Sequence, residues 1–520
     1  MILAAIVTTA FINGMHLERE LGPADEHTYT AQLSAGSGVV GEADQEGVDL
    51  VVDVIDPDGK ELKTLDSPNG AFGPEPIDFT AVRSGTFKFV VHTLNKDAKP
   101  GKYVMKIDQL LDPAANADRL AKLRYDSPAL YDLWRAALTD RHAIENFVAS
   151  RKGKGPIIEP VPNDPTDLRV TYLFFTDEHT EAVRENGGPH AAAGGMLMHR
   201  FLDTPLFYAT EIVPNDSRYS YGFAWIETQS VGAVTVSEDH FDKDPLNPNA
   251  FGPYSVMTMP EAPAQPYTIA HDDVPKGMLT PAKIDSAAMK ESREFVVYTP
   301  HAYDGKAEND LLVTFDAGIY GASPADALIP TPTILDNLIA AKKIGPTIAL
   351  LIRNPNRNRD LGINPAFADF VANELVPWAR KNYRIADGPQ HVVVTGSSRG
   401  GFAAAYCALR HPEAIGNVLS QSGSFWIVKD YNGGPPRYPF SERSGDLIAD
   451  YQSAKKLPIR FYIDIGRFDN GIAMLPMNRE LRDVLMAKGY DVTYNEFDSG
   501  HDYIWWRGSL ADGLIALIGH

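Results

Sequence analysis

Over residues about 10 to 111, apolar and polar positions alternate with the period of two that a strand shows when one face is buried. Val48, Leu50, Val52 and Val54 interleave with Asp49, Val51, Asp53 and Ile55; Phe87, Phe89 and Val91 repeat the pattern after Ser84-Gly85, and Tyr103, Met105 and Ile107 after Gly101. Turn chemistry separates these runs. In Pro57-Asp58-Gly59 proline fixes φ, aspartate caps locally and glycine is free to take φ > 0. Short strands between such turns predict a β-sandwich over 1–112. The period then changes. Residues 113–165 hold a helical stretch to about 152, with Ser127-Pro128 as N-cap and first-turn proline and an apolar face of Leu130, Leu133, Ala137, Ile144 and Phe147. The proline-rich GKGPIIEPVPNDPTD reads as a stiff linker. Alternation returns from Leu168 to Met257, opening with LRVTYLFFT, and predicts an immunoglobulin-like sandwich over 166–260. Its Tyr219, Tyr221, Phe223 and Trp225 read first as core and edge packing and second as a binding face.

Across 261–520 apolar strands alternate with amphipathic helices. FVVYT, DLLVTF, TIALLI, HVVVTG, NVLSQS, IRFYIDIG and DVTYNEF are the strands; one helix runs from Thr331-Pro332 to Lys343 and another from Phe367 to Tyr383. That alternation means a mostly parallel sheet covered on both faces, with ligands at the carboxyl ends of its strands.

Composition narrows the function. The 520 residues are too many for one core. A formal net charge of −20 argues against nucleic acid or an anionic membrane as partner. The longest apolar runs fall far below the roughly 20 residues that span a bilayer, so no membrane insertion is expected. One cysteine, Cys407, excludes an internal disulfide, and no zinc-type Cys/His spacing or His-Glu-x-x-His run implies a metal or other cofactor. The opening MILAAIVTTAFINGM lacks the basic region and cleavage site of a secretory leader and reads as an ordered lead-in or a clipped remnant. Gly36-Ser37-Gly38-Val39-Val40-Gly41 matches the dinucleotide fingerprint G-x-G-x-x-G, but more β pattern follows where the fingerprint needs a helix.

The chemistry concentrates in VVVTGSSRGGFAAAYCAL. Gly396-Ser397-Ser398-Arg399-Gly400 is G-x-S-x-G between a β-branched strand and an apolar helix, the context of a nucleophile elbow in an α/β-hydrolase. Ser398 is the candidate nucleophile and the backbone N–H of Arg399 one oxyanion donor. In this fold the order is serine, acid, histidine. His501, just past the last strand, is the candidate base. Asp469, in the loop after IRFYIDIG, is preferred as acid over Asp464 within that strand, because a loop carboxylate can turn to the imidazole; Asp498 lies too near His501 in sequence. The second oxyanion donor is placed near Gly318, in the DAGIYG loop that also carries Tyr320. Arg353, Arg357 and Arg359 follow the strand TIALLI at the same end of the sheet, where guanidinium forks suit carboxylate or phenolate oxygens. Arg357, Trp426 and Tyr320 are the candidate substrate contacts. The fold class is therefore α/β: a C-terminal α/β-hydrolase domain preceded by two all-β sandwich domains.

Several pieces together resemble the enterochelin (enterobactin) esterase family: DPLNP at 244–248, Arg357 with Asp360-Leu361, GSSRGGFAAAYCALRHPEAIGNVLSQSGSFW, and SGHDYIWWRGSLADGLIAL. The resemblance runs from about residue 168 to the end. It implies a sandwich plus a hydrolase domain that cleaves the trilactone of ferric catecholate siderophores, with Ser398 and His501 as nucleophile and base, Asp469 in the place of an acidic residue and Arg357 at the family's arginine. DAGIYG departs from the family's Asp-Gly start, and the first 150 residues are extra. Within those, ELGPADEHTYTAQLSAG, VDLVVDVIDPDG and RSGTFKFVVHTL resemble the bacterial pre-peptidase C-terminal domain, which implies a jelly-roll accessory module of the kind usual in exported enzymes. A periplasmic or secreted location is implied by that likeness, with the cytoplasm as alternative. The expected partner is a small-molecule ester, a ferric catecholate siderophore in the leading reading. A feruloyl or acetyl-xylan esterase is the second reading, and a binding protein with an incidental triad the third. Oligomeric state is not legible.

Overall fold

The computed structural model describes residues 8–95, 97–176, 180–231, 234–321, 327–429, 444–469 and 471–519. Residues 1–7 of the lead-in lie outside them. The chain divides into two units, Met1–Ala143 and Ile144–His520.

In the first unit the period-two alternation becomes two sheets with a common core. One sheet orders Thr8–Ala10, Glu26–Leu33, Gly85–Thr93, Leu50–Ile55 and Glu61–Leu65; the other orders Met15–Leu21, Gly101–Leu111, Gly38–Glu46 and Phe72–Thr80. Tyr29, Val52, Phe87 and Phe89 from the first sheet and Tyr103 and Met105 from the second meet in that core. At the Pro57-Asp58-Gly59 turn, Asp56 Oδ1 accepts the N–H groups of Asp58 and Lys60, each at 2.9 Å, and Gly59 takes φ 85°. The fingerprint at 36–41 runs straight into the strand Gly38–Glu46, so the helix that would meet a pyrophosphate is missing. Gly38 instead lets Asn116 of the helix Pro113–Arg124 approach; a Cβ there would stand 2.3 Å from Asn116 Oδ1.

The second unit corrects the reading of the proline-rich stretch as a linker. Ile157–Val161 is a strand, paired antiparallel with Asp164–Phe175, and Pro160 stands opposite Leu168. The strand is outermost in its sheet, the position where proline is tolerated because an edge strand leaves half its N–H groups outside the ladder. Leu206–Pro214 and His199–Arg200 complete that sheet. A second sheet centres on Arg218–Val231, flanked by Thr180–Gly187, Tyr254–Thr258 and Val234–Asp242. Tyr219, Tyr221 and Phe223 are fully buried in the core the two sheets share, and Trp225 packs against it from the edge. No break separates these sheets from the chain beyond residue 260: Phe468, far along the sequence, packs on the same core.

The large sheet has eight strands: β1 Met278–Ser286, β2 Glu291–Thr299, β3 Asp310–Thr314, β4 Thr347–Ile352, β5 Val392–Ser397, β6 Asn417–Gln421, β7 Arg460–Gly466 and β8 Asp491–Phe497. Their order is β1-β2-β4-β3-β5-β6-β7-β8; β2 runs antiparallel to β1 and β4, and the rest are parallel. Strands β4, β5 and β6 are buried along their whole length because helices cover both faces of the sheet. Val392 and Val394 of β5 enter one core with Phe402 of the helix Arg399–Arg410, while Val393 enters the other with Leu510 of the helix Tyr503–Ile518. The helix expected to reach Lys343 is Thr331–Ala340; Lys342 stands at φ 54°, a left-handed conformation that ends it. The helix expected from Phe367 widens to π geometry over Phe370–Leu375, before Pro377, whose ring and missing N–H disturb the preceding turn. No helix among the described residues is long and apolar enough to cross a membrane.

Candidate active site

Ser398 stands where β5 turns into the helix Arg399–Arg410, at φ 59° and ψ −118°. A serine holds so unfavourable a backbone only when its surroundings over-determine it. Ser398 N donates to Gln421 O of β6 at 2.8 Å, and Ser398 O accepts Ser424 N at 3.0 Å and Phe402 N at 3.2 Å. The turn is tight enough to need glycine at 396: a Cβ there would lie 2.7 Å from the Gly400 backbone. Among the described residues the Ser398 hydroxyl bonds Ser424 Oγ, at 3.3 Å, and not an imidazole. The sequence did not single out Ser424; it sits beyond β6, next to the elbow only once the sheet is built.

Asp469 follows β7 and His501 follows β8, so both stand at the same carboxyl edge as Ser398. His501 Nδ1 lies 2.8 Å from Asp469 Oδ1, and the Asp469 side chain is fully buried. A carboxylate on Nδ1 fixes the proton there and leaves Nε2 as the acceptor, which is what a general base requires. The Trp506 ring stands edge-on to the imidazole, centroids 4.7 Å apart. Asp464, the other candidate acid, is fully buried in β7, and burial pushes it up to about 7 against the Ser509 hydroxyl and the Ser422 N–H, which hold it down. Asp498 pairs with Arg467.

The loop after β3 is held from several sides. Asp316 takes φ 53°; its N–H donates to Asn354 Oδ1 (2.9 Å) and its carbonyl accepts Ile319 N (2.8 Å) and Tyr320 N (3.2 Å). Gly318 is exposed between these bonded residues, and its own N–H has no partner among the described residues, as an oxyanion donor requires before substrate arrives. A cavity of about 610 Å³ opens there, lined by Gly318, Arg353 and Asn354 among others. A second, of about 420 Å³, surrounds His501, with Phe251, Tyr254, Phe468 and Tyr503 on its walls.

Residues 286–517 match the Putative esterase family. An iron(III) enterobactin esterase of Dickeya dadantii is 30% identical over 405 residues, covering 70% of this chain and 90% of that protein. The chain belongs to the enterobactin esterase family. The esterase is likewise 30% identical over 392 residues to an iron(III) salmochelin esterase of Escherichia coli, with 70% of this chain and 91% of that one covered. In three dimensions it resembles the ferric enterobactin esterase of Salmonella typhimurium, with a TM-score of 0.57 at 23% identity over 71% of this chain and 97% of the other. It is a carboxylic ester hydrolase.

Two expected substrate contacts of the esterase stand differently. Tyr320 is wholly buried, and its hydroxyl donates to Gln421 Oε1 at 2.8 Å, so the ring packs beneath the site. Arg357 Nε bonds Asp316 Oδ2 at 2.9 Å, and its Nη2 lies 3.4 Å from Ser397 O. Asp360, its neighbour in sequence, is taken by Arg293 and Arg359. Arg357 thus braces the Gly318 loop against the end of β5 at Ser397. Trp426 is half-buried, with Nε1 donating to Met474 Sδ at 3.0 Å and the Arg399 guanidinium 6.0 Å from its ring. Burial pushes the Asp316 carboxyl up and Arg357 pulls it back. Arg357→Ala is therefore expected to lower kcat about ten- to a hundredfold on neutral and anionic esters alike, by loosening the loop of the candidate oxyanion donor Gly318. Steady-state kinetics on one ester of each charge checks this; a loss confined to the anionic ester would make Arg357 a substrate contact instead.

Proposed function

We propose that the esterase hydrolyses the ester bonds of a catecholate siderophore lactone through an acyl-enzyme on Ser398. The observation that carries the mechanism is the 2.8 Å contact between His501 Nδ1 and Asp469, at the edge of the sheet where β5 presents Ser398. Ser398 Oγ adds to the ester carbonyl as His501 Nε2 takes its proton. The N–H groups of Arg399 and Gly318 receive the oxyanion. The imidazolium then protonates the departing alcohol, and water, deprotonated by the same nitrogen, releases the acid from the serine.

Support for the substrate comes from the relatives, which are named for iron(III) enterobactin and salmochelin, and from the aromatic wall around His501, which suits catechol rings. An anionic substrate also needs a cation in a chain of net charge −20. With Arg357 and Arg359 engaged by carboxylates, Arg353 is the better placed: it lines the Gly318 cavity, is 56% exposed and meets Glu294 only at 3.9 Å. In this reading a hydrolase body is preceded by two β-sandwich modules, the first an accessory to the catalytic unit in a periplasmic or secreted enzyme. The test is a panel of iron(III)-loaded trilactone, iron-free trilactone, methyl ferulate, acetyl-xylan and short p-nitrophenyl esters, with products separated by chromatography. The reading expects the highest kcat/KM on a trilactone. A higher value on ferulate or acetyl-xylan would transfer the enzyme to polysaccharide esters.

A further inference from the structure

The base and the acid sit on loops at the carboxyl ends of β8 and β7, and such loops are mobile unless something fixes them. Three consecutive residues of one strand, Arg218–Val231 of the second sandwich, do so here. Arg218 N donates to Asp498 O at 3.0 Å. The Tyr219 ring stands edge-on to Phe468, centroids 6.2 Å apart, and Tyr219 is itself anchored through its hydroxyl to Tyr172 at 2.7 Å. Ser220 donates twice to Asp502 Oδ2, from N at 2.5 Å and from Oγ at 2.6 Å. Asp498 and Asp502 flank His501, and Phe468 precedes Asp469. The two loops also bind each other, Phe468 N donating to Ser499 O at 3.0 Å.

Resting on the active-site reading above, we infer that the strand segment Arg218-Tyr219-Ser220 is a positioning element for the base–acid pair, with the Ser220–Asp502 clasp as its decisive contact. Asp502 is fully committed. Oδ2 takes both Ser220 donors, while Oδ1 accepts Ile504 N at 3.0 Å and caps the helix Tyr503–Ile518. The carboxylate therefore ties three things together: the sandwich strand, the residue after the base, and the helix that carries Trp506 against the imidazole. The sandwich is then part of the catalytic geometry as well as a wall of the cavity. Misplacement of a reacting group by about 1 Å is enough to lower turnover a hundredfold.

Asp502→Asn separates positioning from folding. Asparagine still caps a helix, but it cannot accept with both side-chain atoms, so the clasp to Ser220 is broken while the cap survives. On a neutral p-nitrophenyl ester the variant is expected to lose about tenfold or more in kcat with KM little changed. Ser220→Ala is expected to lose about threefold and Ser220→Thr to recover it, which keeps the test open if Asp502→Asn folds poorly. Folded variants whose kcat and KM both match the parent, beside an inactive Ser398→Ala control, overturn the inference. A Ser398→Ala control that turns over at the parent rate overturns the active-site reading itself.

Discussion

Replacing Ser398 by alanine is expected to lower kcat on a short p-nitrophenyl ester by about a millionfold, the scale on which a triad serine acts, and to leave the melting temperature unchanged. The unchanged stability is a property of the elbow. Ser398 is held by its backbone, through N to Gln421 and through O to Ser424 and Phe402. Alanine keeps all three bonds and keeps the Cβ at φ 59°. Only the 3.3 Å contact to Ser424 Oγ is lost. Ser398→Gly sharpens the argument. It removes the Cβ that makes the conformation costly, a strain of about 1 to 3 kcal/mol, so it is expected to melt higher than the parent while being equally inactive. Paired kinetics and thermal melts of the two variants check both statements. Turnover above about a hundredth of the parent, against a loss on the scale of a millionfold, would place the nucleophile elsewhere, and Ser424 would be the first hydroxyl to replace.

What the sequence showed of this site divides by range. The elbow was legible because it is local: a β-branched strand, a glycine at the close approach, a serine and an apolar helix lie within twenty residues. That His501 and Asp469 would meet was legible from their positions after the last two strands, since the sheet brings all its carboxyl ends to one edge. The preference for Asp469 over Asp464 rested on the same ground, a loop side chain being free to turn where a strand side chain is not. The partner of Arg357 was not legible. The nearest carboxylate in sequence is Asp360, yet Asp316 across the sheet edge takes the guanidinium, while Asp360 is neutralised from two other directions. Tyr320 read as a pocket aromatic because its loop was rightly placed, but which way a loop side chain turns depends on what lies beneath it, here Gln421 of β6.

The fold shows the same division. Alternation and turn chemistry fix strands; they do not say which strand is outermost, and that alone decides whether a run with Pro160 is a linker or an edge strand. Nor could any local pattern tie Ser220 to Asp502, which are 282 residues apart. Those long-range contacts are the ones that turn a sandwich and a hydrolase sheet, each readable by itself, into one unit.

Asp469→Asn is expected to lower kcat by about ten-thousandfold, as loss of the orienting carboxylate does in a serine triad, while Asp464→Asn keeps kcat near the parent value. Asp469 Oδ1 is the group on His501 Nδ1; an amide in its place can present N–H there and favour the tautomer in which Nε2 carries the proton and cannot take one from Ser398. Asp464 lies fully buried inside β7, and its consequence is for stability. Burial raises its folded pKa from 3.8 to about 7. The folded state therefore holds a proton that the unfolded state has released, and stability declines as pH rises from about 4 toward 7. Below about pH 4 both states are protonated and the carboxyl carries no pH-dependent penalty; above pH 7 the penalty is complete. Asparagine mimics the protonated acid at every pH. Asp464→Asn is thus expected to melt with the parent at pH 4 and several degrees above it at pH 8.5, with kcat unchanged. Thermal melts at the two pH values and kinetics at one separate the roles of the two carboxylates. An inactive Asp464→Asn of parental stability would exchange their assignments, and with them the physical reason for preferring a loop carboxylate as the triad acid.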